Sequence, residues 1–145
     1  MKLMVTGHRV EKLEGYSIPQ LRVDMASAID ELTIQYGWLY GLSGMASGVD
    51  LWFLDILRNK GMTYACYIPF EEQTDYMSTE DAIHRQELID AADRVYRKTR
   101  NIRMVEDCDI ALIVYDGVDK GGTWRAMQKA QTLNKICKLV IPRRI

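Results

Sequence analysis

The sequence predicts an α/β protein whose doubly wound, mainly parallel, Rossmann-like sheet carries helices on both faces. Apolar runs of strand length alternate with segments whose apolar residues recur at helical spacing. The run 109–115 is almost continuously apolar, as expected of a central parallel strand covered on both faces. Two glycine-rich turns, 42–50 and 116–123, each join a strand to a helix. The 145 residues show no linker or low-complexity segment, and we expect a single domain spanning 1–145.

Composition and charge limit the classes of function. The chain is 48% hydrophobic and 27% charged, which is ordinary for a soluble globular protein, and its net charge of -1 argues against broad nucleic-acid binding. The N-terminal apolar run is too short for a signal peptide, and no run reaches the length of a membrane span, so we expect a cytoplasmic protein without membrane contact. Cys66, Cys108 and Cys137 are widely spaced among apolar neighbours and are interpreted as buried free thiols. We predict no metal site and no cofactor.

The first half of the chain alternates three predicted strands with two predicted helices. The strands cover 2–6, 38–40 and 63–68, and the helices cover 19–36 and 51–59. The first helix has an apolar stripe formed by Leu21, Met25, Ile29, Leu32 and Tyr36. Ser17 is a candidate cap at its start, and Gly37 ends it. The preceding loop has no clear period, and its Gly15 and Tyr16 could lie over a site at the end of the first strand.

The second half continues the alternation. A helix begins after Ser78, whose side chain is a candidate cap, and His84 and Arg85 within it are interpreted as part of a solvated face. A short strand at 93–97, a basic loop at 98–101 and a helical turn at 102–108 lead to the apolar strand 109–115. A last helix follows the second glycine-rich turn, and a strand at 138–142 completes the sheet.

The turn 42–50 predicts an anion site. A strand that enters a helix through such a turn directs backbone N–H groups and the positive end of the helix dipole toward one point. Gly44, Ala46, Ser47 and Gly48 are small enough to let ligand oxygens approach the backbone. The sequence therefore points to a phosphate-bearing ligand, although any tight strand-to-helix turn can have this composition.

The turn 116–123 repeats the pattern, with Gly121, Gly122 and Thr123 at the start of the next helix. Two such turns in one small domain are far less expected by chance than one. Neither matches the dinucleotide fingerprint or the P-loop, which argues against classical dehydrogenases and P-loop NTPases.

Other strand ends carry further candidates. His8 and Arg9 follow the first strand, at the edge where open α/β sheets bind ligands, although a solvated turn would have the same residues. Phe70 follows Pro69 at the end of the third strand and could stack on a base. The adjacent Glu71 and Glu72 could hold a ribose hydroxyl or act as acid or base, and the alternative is that they are ordinary exposed loop acids.

Four motifs, in this order, resemble the SLOG superfamily, and most closely its YpsA-like branch. They are Thr6-Gly7-His8-Arg9, Ser43-Gly44-Met45-Ala46-Ser47-Gly48-Val49-Asp50, Arg100-Asn101 with Met104-Val105, and Asp116-Gly117 leading to Gly121-Gly122-Thr123. The superfamily joins the DNA-processing protein DprA to the LOG cytokinin-activating phosphoribohydrolases on a Rossmann-like fold. The resemblance covers nearly the whole chain.

This resemblance implies that a nucleotide or nucleotide-derived ligand binds at the carboxyl ends of the strands. The Gly-Gly-Thr loop would hold phosphate, the Ser-Gly-Met-Ala-Ser-Gly turn would flank sugar or phosphate, and Asp50 and Asp116 would orient polar groups. Together with the strand ends, the motifs give these candidate ligand-binding residues: Gly7, His8, Arg9, Ser43, Gly44, Met45, Ala46, Ser47, Gly48, Asp50, Pro69, Phe70, Arg100, Asn101, Asp116, Gly117, Gly121, Gly122 and Thr123.

One departure from the LOG pattern bears on catalysis. LOG enzymes carry a Glu shortly after Gly-Thr, whereas here Thr123 is followed by Trp-Arg-Ala-Met. Cleavage of an N-glycosidic bond needs a carboxylate, and Glu71, Glu72, Asp50 or Asp116 could supply it only if the fold brings one of them against the anomeric carbon.

The predicted function is therefore a nucleotide-binding sensor or sequestering module. The alternatives are an N-glycosidic hydrolase of nucleoside 5'-monophosphates and, less favoured because of the near-neutral charge, DprA-like binding of single-stranded DNA. The sequence leaves the oligomeric state open; as relatives of this kind often pair, exposed faces of Trp52 or Trp124 could form the interface of a homodimer or higher homo-oligomer.

Overall fold

The computed structural model describes residues 1–145 and contains one six-stranded sheet in which all neighbouring strands are parallel. The strands are β1 (Lys2–Thr6), β2 (Tyr40–Ser43), β3 (Tyr64–Ile68), β4 (Arg94–Arg97), β5 (Ile110–Val114) and β6 (Ile136–Val140). Their spatial order is β4-β3-β2-β1-β5-β6. The order reverses beside β1, and in open α/β sheets this switch point is where a crevice at the carboxyl ends of the strands binds ligands.

Five α-helices cover the two faces of the sheet. They are α1 (Ile18–Tyr36), α2 (Val49–Asn59), α3 (Thr79–Asp90), α4 (Arg103–Asp107) and α5 (Gly122–Thr132). Buried residues of α1, α2 and α3 pack on one face with Leu3 and Val5, whereas those of α4 and α5 pack on the other face with Met4. The predicted Rossmann-like α/β fold with helices on both faces is therefore confirmed.

The elements with the strongest sequence patterns form as predicted. All five residues of β5 are buried, so this strand is covered on both faces. The Ser17 hydroxyl caps α1 by accepting from the Gln20 N–H at 3.4 Å, and Gly37, at φ +86°, ends the helix. Ser78 caps α3 in the same way, accepting from the Asp81 N–H at 3.1 Å. Cys66 and Cys108 are buried, Cys137 is half-buried, and all three are free thiols.

Three local predictions are wrong. The last strand is β6, Ile136–Val140, rather than 138–142. The second strand does not cover 38–40: pairing begins at Tyr40 and continues into Ser43, while Trp38 is 61% exposed at the amino edge of the sheet. Arg85 does not lie on a solvated face, because its side chain turns into the protein and is only 5% exposed. The Arg85 error arises because tertiary contacts with Met45 and Gln73, rather than local polarity, decide the burial of this side chain.

No helix combines the length and apolar character needed to cross a membrane. Trp52 and Trp124 are both partly buried against the protein's own cores. Their role in a homo-oligomer stays a prediction.

Candidate functional site

A cavity of about 1370 Å³ opens at the carboxyl ends of the strands. Its wall is formed by the loops that follow β1, β2, β3, β4 and β5, together with one side of α5. The candidate ligand-binding residues in the wall are Gly7, His8, Arg9, Gly44, Ala46, Asp50, Pro69, Arg100, Asn101, Asp116, Gly121, Gly122 and Thr123. The two glycine-rich turns, far apart in the sequence, thus face the same space.

The turn between β2 and α2 is shaped by candidates that do not line this cavity. The Ser43 hydroxyl donates to the Asp50 carbonyl at 3.0 Å and accepts from the Met45 N–H at 3.3 Å. Met45 is buried and adopts φ +66°, which is uncommon for a residue with a side chain. A Cβ on Gly48, which has φ +89°, would lie 2.8 Å from the Val10 nitrogen. Ser43, Met45 and Gly48 therefore fix the shape of the turn.

Two side chains from outside the turn hold it from behind. Gln73 Nε2 donates to the Gly44 carbonyl at 2.9 Å, and Arg85 Nε donates to the Met45 carbonyl at 3.3 Å. Arg85 Nη2 also donates to Gln73 Oε1 at 2.7 Å, so the two side chains support each other. Burial lowers the pKa of the Arg85 guanidinium, which has no carboxylate partner. The carbonyl acceptors thus replace water around this buried cation.

Asp50 is the most perturbed acid in the cavity wall. It lies in the first turn of α2, and its Oδ2 accepts from the Ala46 N–H at 3.2 Å. Burial raises the pKa of this carboxyl to about 7, although the hydrogen bond from Ala46 works in the opposite direction. Near neutral pH Asp50 can therefore either donate or accept a proton.

Asp116 connects the loops that follow β5 and β1, the neighbouring strands at the switch point of the sheet. Its Oδ2 lies 2.7 Å from His8 Nε2, which links the loop after β5 to the loop after β1. Partial burial opposes ionisation, but hydrogen bonds from the Val118 N–H and from His8 outweigh it and hold the pKa of Asp116 below its ordinary value. Asp116 is therefore an ionised carboxylate at neutral pH.

The start of α5 forms one wall of the cavity. Gly121 precedes the helix at φ +92° and ψ -176°, a conformation almost restricted to glycine. Gly122 and Thr123 follow in the first turn and also line the cavity. The first N–H groups of a helix have no partners within the helix, and together with the helix dipole they attract anions.

Six basic side chains surround the same space. They are Arg9, Lys12, Arg100, Lys120, Arg125 and Lys129. Arg9 pairs with Glu11 at 3.3 Å and Arg100 pairs with Glu106 at 2.9 Å, whereas the other four form no ion pair. The cavity therefore has an excess of positive charge, because its two acids are Asp116, bonded to His8, and Asp50, whose pKa is raised.

Most of these basic residues follow no motif in the sequence that predicts a ligand contact. Lys12, Lys120, Arg125 and Lys129 were not identified, although Arg125 and Lys129 have the i, i+4 spacing that places both beside Gly122 on one side of α5. Other wall residues not identified as ligand-binding are Met4, Val5, Thr6, Tyr67, Gln73, Thr99, Ile102, Met104, Val105, Val118 and Ala126. Thr99, Ile102 and Val118 lie in loops that follow a strand, and this position is the signal that could have identified them.

Several candidates lie outside the cavity. Glu71 and Glu72 are exposed on a 3-10 helix, Glu71–Tyr76, and Glu71 pairs with Arg97 at 3.3 Å. Phe70 borders a smaller recess beside the cavity, and Gly117, at φ +89°, shapes the loop after β5. Asp50 and Asp116 are thus the candidate acids that face the cavity.

The loop with Gly15 and Tyr16 does not cover the cavity either. The Gly15 carbonyl accepts from the Ile145 N–H at 3.0 Å, and the Arg144 guanidinium lies 4.2 Å from the centre of the Tyr16 ring. These contacts hold the loop against residues 143–145, so the prediction that it lies over the site is wrong.

Comparison with known proteins identifies structural relatives. No protein-family model and no curated protein matches the chain. The structure of DNA processing protein A (DprA) from Streptococcus pneumoniae has a TM-score of 0.70 and 16% identity, and the match covers 95% of this chain and 49% of DprA. The structure of the protein TM1055 has a TM-score of 0.61 and 17% identity, and the match covers 94% of this chain and 71% of TM1055.

At these identities the likeness concerns the fold alone. The chain spans about half the length of the DprA chain it matches. The Rossmann-like fold implied by the SLOG resemblance is confirmed by the likeness of the two folds to that of this chain. The assignment to the YpsA-like branch stays a prediction.

Proposed function

We propose that the protein binds a nucleotide or nucleotide-derived ligand through its phosphate groups and acts as a sensor or sequestering module. One observation carries the proposal: six basic side chains and the start of α5 surround a single cavity at the carboxyl ends of the strands. The guanidinium group of Arg and the ammonium group of Lys bind phosphate more strongly than other side-chain groups do. Free backbone N–H groups at the start of a helix add further hydrogen-bond donors for the phosphate oxygens.

The size of the cavity also supports a ligand larger than a free anion. Pockets for small organic ligands usually measure about 300–1,000 Å³. The cavity, at about 1370 Å³, has room for a nucleotide with several phosphates together with water. Four of the basic side chains have no carboxylate partner, so a polyanionic ligand would not need to break existing ion pairs.

The proposal is tested by titration calorimetry and thermal unfolding with a panel of phosphate compounds. The panel contains pyrophosphate, AMP, ADP, ADP-ribose and an oligothymidylate, the last of which tests the DNA alternative. We expect millimolar or tighter binding of at least one compound and a rise in melting temperature, because a ligand that binds only the folded state stabilises it.

Matched variants then assign the binding to the cavity. The double variant Arg125→Ala with Lys129→Ala should weaken binding at least tenfold, since each lost charged hydrogen bond costs about 1.5–3 kcal/mol. Arg58→Ala should bind as the wild type does, because Arg58 is exposed on α2 and outside the cavity. Absence of binding by every compound, or equal binding by both variants, would contradict the proposal.

Asp50 favours a second candidate, the hydrolysis of nucleoside 5'-monophosphates at the N-glycosidic bond. A carboxyl with a pKa of about 7 is suited to protonate a leaving base, and the ionised Asp116 could stabilise positive charge on the sugar. Release of free base from a nucleoside 5'-monophosphate, lost in Asp50→Asn, would establish this activity. If the wild type binds the nucleotide and releases no base, the protein is a binding module.

A further inference from the structure

We propose that a small recess beside the cavity binds the base of the nucleotide, an inference that rests on the proposed function. The recess measures about 140 Å³ and is lined by Phe70, Tyr76 and Met77 together with Ala46 and Ser47 of the turn between β2 and α2. We call it the aromatic side pocket. Arg9, Ala46 and Gln73 line both the side pocket and the large cavity, so the two spaces adjoin.

The aromatic rings are placed to accept a planar group. Phe70 and Tyr76 meet edge to face, with ring centres 6.2 Å apart and planes at 83°. Phe70 is 42% exposed and Tyr76 is 67% exposed, so the protein does not cover the ring surfaces. Two neighbouring exposed aromatic rings at the rim of a polar cavity are typical of a ligand contact, since stacking on aromatic rings is sequence-tolerant and available to every base.

The volume of the side pocket suits a single ring system. A protein cavity of about 150 Å³ is known to hold one benzene molecule. The side pocket, at about 140 Å³, is therefore large enough for one six-membered heteroaromatic ring and too small for a sugar and base together. The sugar and phosphates would remain in the large cavity, where the basic side chains lie.

Ser47 gives the side pocket a polar contact. The residue is only 3% exposed, and its hydroxyl takes part in none of the side-chain hydrogen bonds of the protein. Ser47 lines the side pocket, so its hydroxyl is a polar group there that no hydrogen bond of the protein occupies. The Gln73 amide, by contrast, is engaged with Gly44 and Arg85. Ser47 can thus hydrogen-bond a ring nitrogen or carbonyl of a base.

The test compares ADP with pyrophosphate by titration calorimetry on the full chain. Both carry a diphosphate, and only ADP carries a base. We expect ADP to bind more tightly than pyrophosphate. Phe70→Leu should reduce ADP affinity roughly 5- to 150-fold, the range reported for loss of one base-stacking contact, and leave pyrophosphate affinity unchanged. Because Phe70 is partly exposed, Phe70→Leu is expected to fold, and its unchanged affinity for pyrophosphate checks this.

Three control variants sharpen the result. Tyr76→Phe should bind ADP as the wild type does, whereas Tyr76→Ala should bind it more weakly, because the ring rather than the hydroxyl makes the contact. Trp38→Ala removes an exposed aromatic ring remote from both recesses and should change neither affinity. Replacing ADP with UDP tests the size of the side pocket: UDP, whose base is a single six-membered ring, should bind at least as tightly as ADP and lose affinity in Phe70→Leu, whereas a marked preference for ADP would contradict a base site of this volume.

The failure of this inference can be told apart from failure of the proposed function. If Phe70→Leu and Tyr76→Ala bind ADP as tightly as the wild type while Arg125→Ala with Lys129→Ala weakens both ligands, the base lies elsewhere and the phosphate site stands. If no nucleotide and no pyrophosphate bind, both proposals are wrong.

Discussion

Arg85 shows at the scale of one residue why part of the site is hidden from the sequence. Its neighbours on α3 are mostly polar, and local pattern therefore predicts a solvated side chain. The structure instead buries it against the Gly44-Met45 turn, where the Met45 carbonyl and Gln73 accept its hydrogen bonds. Those acceptors belong to segments far away in the sequence, so no local signal could reveal the contact. His8 and Asp116, in contrast, were predictable because each directly follows a strand end.

The raised pKa of Asp50 predicts that the free energy of unfolding falls as the pH rises toward 7. Its pKa rises from an ordinary value of 3.8 to about 7 on folding, so the folded state holds this proton more tightly than the unfolded state. The contribution of Asp50 to the free energy of unfolding is therefore greatest below about pH 4 and falls as the pH rises to about 7. One pKa unit corresponds to about 1.4 kcal/mol, which sets an upper limit of about 4 kcal/mol, and water in the cavity should reduce this to about 1–3 kcal/mol.

Urea unfolding between pH 4 and 8 measures this effect in the wild type and in Asp50→Asn. The variant keeps an acceptor for the Ala46 N–H and has no proton to lose, so the difference between the two curves isolates Asp50. We expect the variant to gain stability relative to the wild type as the pH rises. A constant difference across the range would show that the pKa of Asp50 is not raised.

At the scale of elements, regular patterns in the sequence predict structure well and irregular ones do not. The apolar stripe of α1 predicts a helix with one buried face, and the continuous apolar run of β5 predicts a strand with two buried faces. Both elements form as predicted. The predicted start of β2 was wrong. Trp38 is apolar and was therefore included in the strand, yet it is exposed and precedes Tyr40, the first paired residue. Arg125 and Lys129 were missed because a basic residue on a helix usually faces solvent, and only the position of α5 beside the cavity makes them part of the site.

Replacing each of the two glycines at the start of α5 with alanine should change the free energy of unfolding in opposite directions. Gly121→Ala should lower the free energy of unfolding by about 1–3 kcal/mol, because its φ of +92° with ψ of -176° is strained for any residue with a Cβ. Gly122→Ala should raise it by about 0.4–1 kcal/mol, because Gly122 is the first residue of the helix and a Cβ there would meet no atom within 4 Å. Thermal or urea unfolding of the two variants measures both effects. Equal destabilisation by both would contradict the assigned backbone conformation.

For the whole molecule, net charge is a poor guide to the site. The chain has 19 basic and 20 acidic residues, and six of the basic ones lie around one cavity. The net charge therefore excludes a protein that is basic over its whole surface. It says nothing about how the basic residues are distributed, so it does not exclude a basic cavity. The order of the motifs was enough to predict the sheet and the edge at which the cavity opens, because parallel strands bring their carboxyl ends together whatever the side chains are.

The concentration of basic side chains around the cavity predicts that ligand binding depends strongly on salt concentration. Affinity for pyrophosphate should fall several-fold as sodium chloride rises from about 50 mM to about 0.5 M, because the Debye length then falls well below the width of the cavity. The double variant Arg125→Ala with Lys129→Ala should show a smaller fall, while Arg58→Ala should match the wild type. Calorimetry at several salt concentrations measures the slopes. A wild-type affinity that does not change with salt would mean that the basic side chains do not attract the ligand.

The bond between His8 and Asp116 gives the protein a built-in spectroscopic reporter. The chain contains two histidines, and the second, His84, lies on α3 with its Nε2 2.7 Å from Asp55 Oδ1. An NMR spectrum of the imidazole rings should therefore show two sets of signals, one from the wall of the cavity and one from outside it. Occupancy of the cavity can thus be followed at a single atom without a label, with the other ring as the internal reference.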